Sequence, residues 1–223
     1  SSGKRENLPA GVPLVLGDIR DPELAERLAG EGIAAISHLA AQISVPASVA
    51  DPRRDAEINV AGTVNLLHCA VAWGARRFVF ISSGGAVYGE PEAIPVREEH
   101  PIRPLSPYAL SKHCGEQYLD YFNRAHGLAT VTLRFANVYG PRQIPLGEAG
   151  VAAIFMAALA EGREPAIFCP PGMPEGCLRD YVYVKDCARA CLLALTAGQG
   201  AYNIGTGVAT STLGLWRGIQ APA

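Results

Sequence analysis

The sequence predicts an α/β fold built on a doubly wound parallel sheet. Along the 223 residues, short apolar runs alternate with longer segments of helical periodicity. That alternation is typical of repeated β–α–β units. The run over 76–82 contains "FVFI" without a polar interruption, as expected of a parallel strand buried on both faces.

The elements follow from local signals in chain order. The predicted strands cover 12–18, 34–41, 76–82, 128–135 and 201–205. The predicted helices cover 21–30, 51–74, 106–126 and 185–197. Asp21 and Pro22 form a helix start, Pro52 stands near another, and Gly74 and Gly127 mark two ends. Further apolar or aromatic runs stand at 153–162, 165–169 and 179–184.

Composition excludes several classes of protein. The net charge of −2 offers no basic field for nucleic acid. The chain has no apolar run long enough to span a membrane, and its first residues lack the apolar stretch of a secretion signal. We therefore expect a cytoplasmic protein with neither nucleic acid nor membrane as partner.

The six cysteines do not suggest a metal site, since none forms a CxxC pair and no histidine spacing completes a zinc site. Cys169 and Cys177 flank "PPGMPEG" and could either form a hairpin disulfide or remain two reduced thiols. The sequence leaves that choice open.

Small and polar residues follow four of the predicted strands. They are Gly17 and Asp18, then Ala40, Ala41 and Gln42, then Ser82 to Gly85, and finally Asn137. In parallel α/β sheets the ligand crevice lies at the carboxyl ends of the strands. Four such groups in register predict a flat cofactor lying against backbone.

The stretch "SPYALSK" places Tyr108 and Lys112 four residues apart, on one face of a helix. A phenol with a pKa of about 10 is a poor base at neutral pH, but a nearby ammonium stabilises its phenolate. Such a tyrosine can take a proton from an alcohol while hydride leaves the carbon. From spacing alone, a surface Tyr/Lys pair remains the alternative.

Together these residues resemble a known family. The YxxxK pair, with "FVFISSGGAVYG" upstream and "LRFANVYGP" downstream, is similar to the extended short-chain dehydrogenase/reductases, the NAD-dependent epimerases and dehydratases of nucleotide sugars. "GDIRD", "HLAAQISVPASVADP", "INVAGTVNLL" and "RDYVYVKD" agree, so the resemblance spans roughly residues 1–215. It implies a Rossmann-like fold with a partial substrate-binding lobe, and it looks closest to the 4-epimerases of UDP-glucose.

The resemblance also implies roles for individual residues. Ser83, Tyr108 and Lys112 would be catalytic. NAD would contact Asp18, Ile19, Leu39, Ala40, Ala41, Gln42, Asn59, Ser82, Tyr108, Lys112 and Phe135. The UDP-hexose would contact Ser83, Tyr108, Asn137, Ala166, Ile167, Phe168, Arg179 and Tyr181.

Two parts of the family pattern are missing from the sequence. No strand with a GxxGxxG turn precedes residue 12, and the segment that completes the sugar-nucleotide lobe is absent, so we expect the middle of a longer chain that binds NAD poorly as it stands. The expected domains are 1–140, an incomplete NAD-binding unit, and 141–223, a substrate lobe with returning Rossmann elements. By resemblance, helices 51–74 and 106–126 would form a homodimer.

The alternatives differ in chemistry. Dehydratases of the family carry acidic residues where this chain has Gly85 and Ala86, which argues against elimination and favours 4-epimerisation. A related epimerase or reductase, or a non-catalytic binding fragment, remains open. The position of the usual catalytic hydroxyl is Gly84 here, so the hydroxyl is expected from Ser83, with Ser82 closing the strand.

Overall fold

The computed structural model describes residues 3–145 and 150–221, and its centre is a parallel sheet of four strands. In sheet order these are β1, Ala35–His38; β2, Arg77–Ser83; β3, Ala129–Phe135; and β7, Gly200–Ile204. Neighbouring strands pair in parallel throughout, which confirms the predicted fold class.

Helices cover both faces of the sheet. They are α1, Leu24–Arg27; α2, Val45–Ala50; α3, Pro52–Ala56; α4, Gly62–Ala72; α5, Gly84–Val87; α6, Pro107–His126; α7, Val151–Ala160; α8, Val184–Ala194; and α9, Thr212–Gln220. Phe78 and Phe80 of β2 pack with residues of α4 and α6. Val79, on the opposite face of the strand, packs with Ala194 of α8. The alternation of β2 therefore serves two cores, as a doubly wound sheet requires.

The helix α6 follows from its sequence. The Ser106 hydroxyl accepts a hydrogen bond from the Ala109 N–H at 3.2 Å, and Pro107 occupies the first helical position. Gly127 ends the helix with a φ of 67°, a left-handed conformation that glycine adopts without strain. The predicted helix 106–126 is confirmed.

The predicted helix 51–74 is interrupted. Its N-cap is Asp51, whose carboxylate accepts the Arg54 N–H at 3.0 Å. After α3 the backbone forms one π-helical stretch, Glu57–Ala61, before α4 begins. The helical pattern over 51–74 is continuous and does not predict this widening, which lies beside the candidate site.

The predicted strand 12–18 is wrong. In the structure this segment is irregular and its apolar side chains are exposed, Leu16 by 79%. An apolar run forms a strand only when a neighbouring strand offers hydrogen bonds, and this segment pairs with none among the described residues. The predicted helix 21–30 is also too long, since only α1 forms there, and residues 165–169 form neither helix nor strand.

The remaining strands form two small sheets near the carboxyl edge of the main one. β4, Asn137–Tyr139, pairs in parallel with β6, Tyr181–Tyr183. β5, Leu178–Arg179, pairs antiparallel with β8, Thr210–Ser211. All six cysteines are free thiols, so Cys169 and Cys177 are not bridged. No helix in the described part of the chain is long and apolar enough to cross a membrane.

Candidate active site

Tyr108 lies in the first turn of α6, where two serines fix its position. Its backbone N–H donates to the Ser48 hydroxyl of α2 at 3.1 Å, and its phenol lies beside the Ser83 side chain at the end of β2, close enough for Ser83 to influence its pKa. Burial raises the pKa of Tyr108, and the Ser83 side chain opposes that rise. The structure thus places Ser83 and Tyr108, two of the three residues expected to be catalytic, side by side.

Lys112 is buried one helical turn after Tyr108. Its Nζ donates to the Ile81 carbonyl oxygen at 2.9 Å and lies 5.8 Å from the centroid of the Tyr108 ring. Burial lowers the pKa of Lys112 to about 8, while the carboxylates of Asp55 and Glu116 act in the opposite direction. The ammonium therefore lies near the phenol ring and is anchored to the sheet.

Ser82 differs from its neighbour. It is buried, and its hydroxyl donates to Oε1 of Glu116 at 2.6 Å. That carboxylate also accepts hydrogen bonds from Nε and a terminal nitrogen of Arg134, at 3.0 and 2.7 Å. The Ser82 hydroxyl therefore donates to a buried ion pair, and its contact with a cofactor stays a prediction.

Sequence reasoning missed this buried network. Arg134 also donates to the Tyr88 hydroxyl at 2.8 Å, which in turn donates to Oδ1 of Asn203 at 2.7 Å. Hydrogen bonds to Glu116 and Asn203 thus link α6, β3 and β7 beneath the site. The only sequence signal was two charges inside apolar surroundings, "LRF" and "CGEQYL", which spacing could not pair.

The segment 39–42, which follows β1, is held by hydrogen bonds to Asn59 in the π-helical stretch. Asn59 accepts the Gln42 N–H at 2.8 Å and donates to the Gln42 carbonyl at 2.9 Å. The small residues Ala40 and Ala41 and the side chain of Leu39, 61% exposed, therefore lie along the carboxyl edge of the sheet. This clamped, bare backbone is a surface on which a flat cofactor can rest.

Asp18 and Ile19 lie at the far end of the same edge. The Asp18 carboxylate accepts hydrogen bonds from Nε and a terminal nitrogen of Arg20, at 3.0 and 2.7 Å. Hydrogen bonds from Arg20 lower the pKa of Asp18 to about 2. The Ile19 side chain packs so closely on Gly62 that a Cβ there would lie 2.6 Å from it. A cavity of about 460 Å³ opens here, bounded by Asp18, Arg20, Asp21, Glu57, Ala61 and Asn65.

A larger cavity of about 470 Å³ lies beyond Ser83. Gly84, Gly85, Asn137, Arg179 and Thr206 are among its lining residues. Asn137 is fixed by the Asp180 carbonyl oxygen, which accepts its backbone N–H at 2.9 Å. Asn137 and Arg179, together with Tyr181, also line an adjoining cavity of about 350 Å³.

Two groups of predicted residues lie differently. Phe135 ends β3 opposite Ser83 in the strand register, beside the site. Ala166, Ile167 and Phe168 lie in an irregular segment outside these three cavities, with Phe168 exposed by 79%. The structure therefore does not bring these three residues together with the other residues predicted to contact the UDP-hexose.

Comparison with known proteins places this site in a family. The family model described as "NAD dependent epimerase/dehydratase family" matches residues 1–205. This chain belongs to that family. Its members use NAD, and the clamped 39–42 segment, the Tyr108/Lys112 pair and the Asp18 cavity fit such a cofactor.

Individual relatives agree with this assignment. The chain is 46% identical to the UDP-glucose 4-epimerase of Mycolicibacterium smegmatis, over 95% of this chain and 69% of that protein. It is 45% identical to the putative UDP-glucose 4-epimerase of Methanocaldococcus jannaschii, over 95% and 68%. For the third relative, the UDP-glucose 4-epimerase of Azospirillum brasilense, the chain covers 59% of that protein's length.

Solved structures also resemble this chain. The structure of the Thermus thermophilus UDP-glucose 4-epimerase with NAD superimposes with a TM-score of 0.91 at 47% identity, over 98% of this chain and 71% of that one. The Thermotoga maritima UDP-glucose 4-epimerase with UDP-glucose gives 0.93 at 43% identity, over 99% and 71%. A dTDP-glucose 4,6-dehydratase from Streptomyces venezuelae gives 0.78 at 33%, over 91% and 61%.

Proposed function

We propose that this family member epimerises a nucleotide sugar at C4, with UDP-glucose and UDP-galactose as substrates. The observation that carries the proposal is the contact of Tyr108 with Ser83, next to a cavity whose near wall is Gly84 and Gly85. An alcohol placed there meets a hydroxyl pair that can relay a proton. The glycine wall leaves room for a sugar ring to present either face.

The chain's own residues supply acid–base chemistry and positioning. Tyr108, assisted by Ser83, takes the proton of the 4-hydroxyl and later returns it. The Lys112 ammonium, held by the Ile81 carbonyl, favours the phenolate. When bound, NAD would accept a hydride from C4 and give it back to the opposite face of the keto sugar. Asn137 and Arg179, on the cavity wall, would orient the nucleotide diphosphate.

A 4,6-dehydratase is the second candidate, because one such enzyme shares the fold. By resemblance it would need a carboxyl group at Gly85 or Ala86. Of the carboxylates that line the cavity, that of Asp180 accepts hydrogen bonds from the backbone N–H groups of Thr206 and Gly207, at 2.9 and 2.8 Å. The available chemistry therefore supports epimerisation over elimination. A non-catalytic binding protein is the third candidate and leaves the Tyr108–Ser83 contact without a use.

Conversion of UDP-galactose to UDP-glucose in the presence of NAD tests the proposal. It is measured on this chain and, in parallel, on the full product of the gene that encodes it. We expect interconversion that disappears in Tyr108→Phe. Release of water to give a 4-keto-6-deoxy product would support the dehydratase instead, and binding without turnover would support the third candidate.

We further infer that the protein is cytoplasmic and forms a homodimer through helices 51–74 and 106–126. The apolar or aromatic side chains exposed on these helices include Val71, Leu110, Tyr118 and Tyr121. Burying them against a second copy would stabilise the pair. Light scattering on Leu110→Glu, with Leu192→Glu on α8 as the control, tests this surface: the proposal requires the first variant alone to be monomeric.

A further inference from the structure

Asp55 is a buried carboxylate that none of the roles above uses. It lies on α3 and is 1% exposed. Its Oδ1 accepts hydrogen bonds from Nε2 of Gln42 at 2.8 Å and Nδ2 of Asn59 at 2.9 Å. Its Oδ2 accepts one from the Ser111 hydroxyl at 2.7 Å. All three donors are neutral, so the hydrogen bonds of this buried carboxylate are satisfied without a cationic partner among them.

The three bonds join parts of the chain that have to hold a fixed geometry during proton transfer. Gln42 belongs to the clamped segment on which a cofactor can rest. Ser111 is adjacent to Lys112 and three residues from Tyr108. Asp55 therefore connects the cofactor-facing segment and the helix with the base by direct hydrogen bonds to both.

The charge of Asp55 also faces Lys112. The groups around this ammonium are Asp55 from α3, Glu116 and the Tyr108 ring from α6, and His38 from β1. Of the two carboxylates that favour its protonated form, Asp55 has the larger effect. Glu116 is already paired with Arg134 at 2.7 Å, whereas the donors to Asp55 carry no charge.

We propose that Asp55 is a positioning residue for the Tyr108/Lys112 pair: through Ser111 and Gln42 it fixes the helix against the cofactor-facing segment, and its carboxylate supplies a negative charge that acts on the Lys112 ammonium. The inference rests on the proposed role of that pair in C4 epimerisation. Its two parts, charge and anchoring, are separable by substitution.

Asp55→Asn removes the charge and retains the shape. The amide oxygen can accept from Gln42 and Asn59, and the amide nitrogen can donate to the Ser111 hydroxyl after that hydroxyl rotates. Because the sequence contains only Lys4, Lys112 and Lys185, lysine-selective ¹³C labelling gives three side-chain signals, each assigned by a Lys→Arg variant. NMR titration then reads Lys112 directly, without substrate, cofactor or turnover.

We expect the Lys112 titration midpoint in Asp55→Asn to fall by about one pH unit or more, with Lys4 and Lys185 unchanged. Asp120→Asn is the matched control. It removes an exposed carboxylate that lies on α6, the helix of Lys112, and pairs with Arg124. This variant should leave the Lys112 titration midpoint unchanged. An unmoved Lys112 midpoint in a folded Asp55→Asn protein overturns the proposal. Absence of epimerase activity in the wild type would defeat the proposed function but would leave this titration readable.

Ser111→Ala tests the anchoring and keeps the proposal falsifiable if Asp55→Asn does not fold. This variant keeps the charge, so the Lys112 midpoint should stay within about 0.3 pH units of wild type, less than the effect of removing a charge. Hydrogen exchange of the Tyr108 amide, which donates to Ser48 across the same contact, should rise at least tenfold, while amides of α8 exchange as before. Unchanged exchange at Tyr108 would refute the anchoring role.

Discussion

Ser82 and Ser83 are adjacent on β2, yet their hydroxyls have different partners. Ser82 donates to the buried Glu116 at 2.6 Å, whereas the Ser83 side chain lies beside the phenol of Tyr108 and lowers its pKa. One hydroxyl therefore belongs to the core, and the other lies beside the proposed base. This difference can be measured by removing each hydroxyl in turn.

Ser82→Ala should mainly lower the stability of the fold, whereas Ser83→Ala should mainly lower the rate of the reaction. Loss of the Ser82 hydroxyl removes a buried bond to a carboxylate, so we expect a loss of about 1 to 3 kcal/mol in the free energy of unfolding with the rate nearly kept. Loss of the Ser83 hydroxyl should lower kcat by roughly 10- to 100-fold, at the lower end of acid–base contributions, with stability little changed. Denaturant unfolding and turnover of UDP-galactose distinguish them; a rate loss confined to Ser82→Ala would reverse the assignment.

Tyr108→Phe should remove the base and little else. We expect kcat to fall by about 10² to 10⁴-fold, while the free energy of unfolding changes by less than about 1.5 kcal/mol, because only one hydrogen bond is lost. Tyr118→Phe is the matched control, since Tyr118 lies on the same helix with its side chain exposed. Equal rates in the two variants would show that Tyr108 is not the base.

Gly84 and Gly85 form a second matched pair. A Cβ on Gly84 would lie 3.2 Å from the Arg134 carbonyl oxygen, whereas one on Gly85 would meet only the Asn137 side chain, at 4.0 Å. Backbone cannot move aside as a side chain can, so Gly84→Ala should cost about 1 to 3 kcal/mol of stability. Gly85→Ala should fold normally and, by narrowing the cavity, raise KM for the sugar nucleotide. Equal melting temperatures for both variants would contradict this distinction.

Local sequence signals correctly predicted the features that depend on neighbouring residues alone. Ser106, Pro107 and Gly127 specified the ends of α6, and the unbroken apolar run specified the buried strand β2. The strand predicted at 12–18 failed because strand formation depends on a partner, which an apolar run cannot specify. The YxxxK spacing located Tyr108 and Lys112, but spacing carries no information on burial.

The buried charges were unpredictable for a related reason. Glu116 and Arg134 are 18 residues apart on a helix and a strand, and only the packing of α6 on β3 brings them together. Asp55 and Ser111 are 56 residues apart. Contacts of this kind follow from the three-dimensional arrangement, and a single sequence offers no covariation from which to infer them.

His38 makes the stability of the fold depend on pH. The ring is buried at the end of β1, with ring centroids 5.8 Å from both Phe78 and Phe80 and Nε2 at 3.0 Å from the Thr63 hydroxyl oxygen. Burial, aided by the charge of Lys112, lowers the pKa of His38 from 6.5 to about 4. The folded state therefore holds a neutral imidazole where the unfolded chain would be protonated.

The sign follows from proton binding. Between pH 6.5 and about 4 the unfolded chain binds more protons at this residue, so the free energy of unfolding must decrease as the pH falls through that window. From pH 7 to pH 5 we expect His38 to contribute a loss of about 2 kcal/mol. His38→Gln should remove that part of the loss, whereas His126→Gln, at the exposed end of α6, should keep it. Urea unfolding at the two pH values measures the difference, and the same loss in wild type and His38→Gln would mean that the imidazole is charged in the fold.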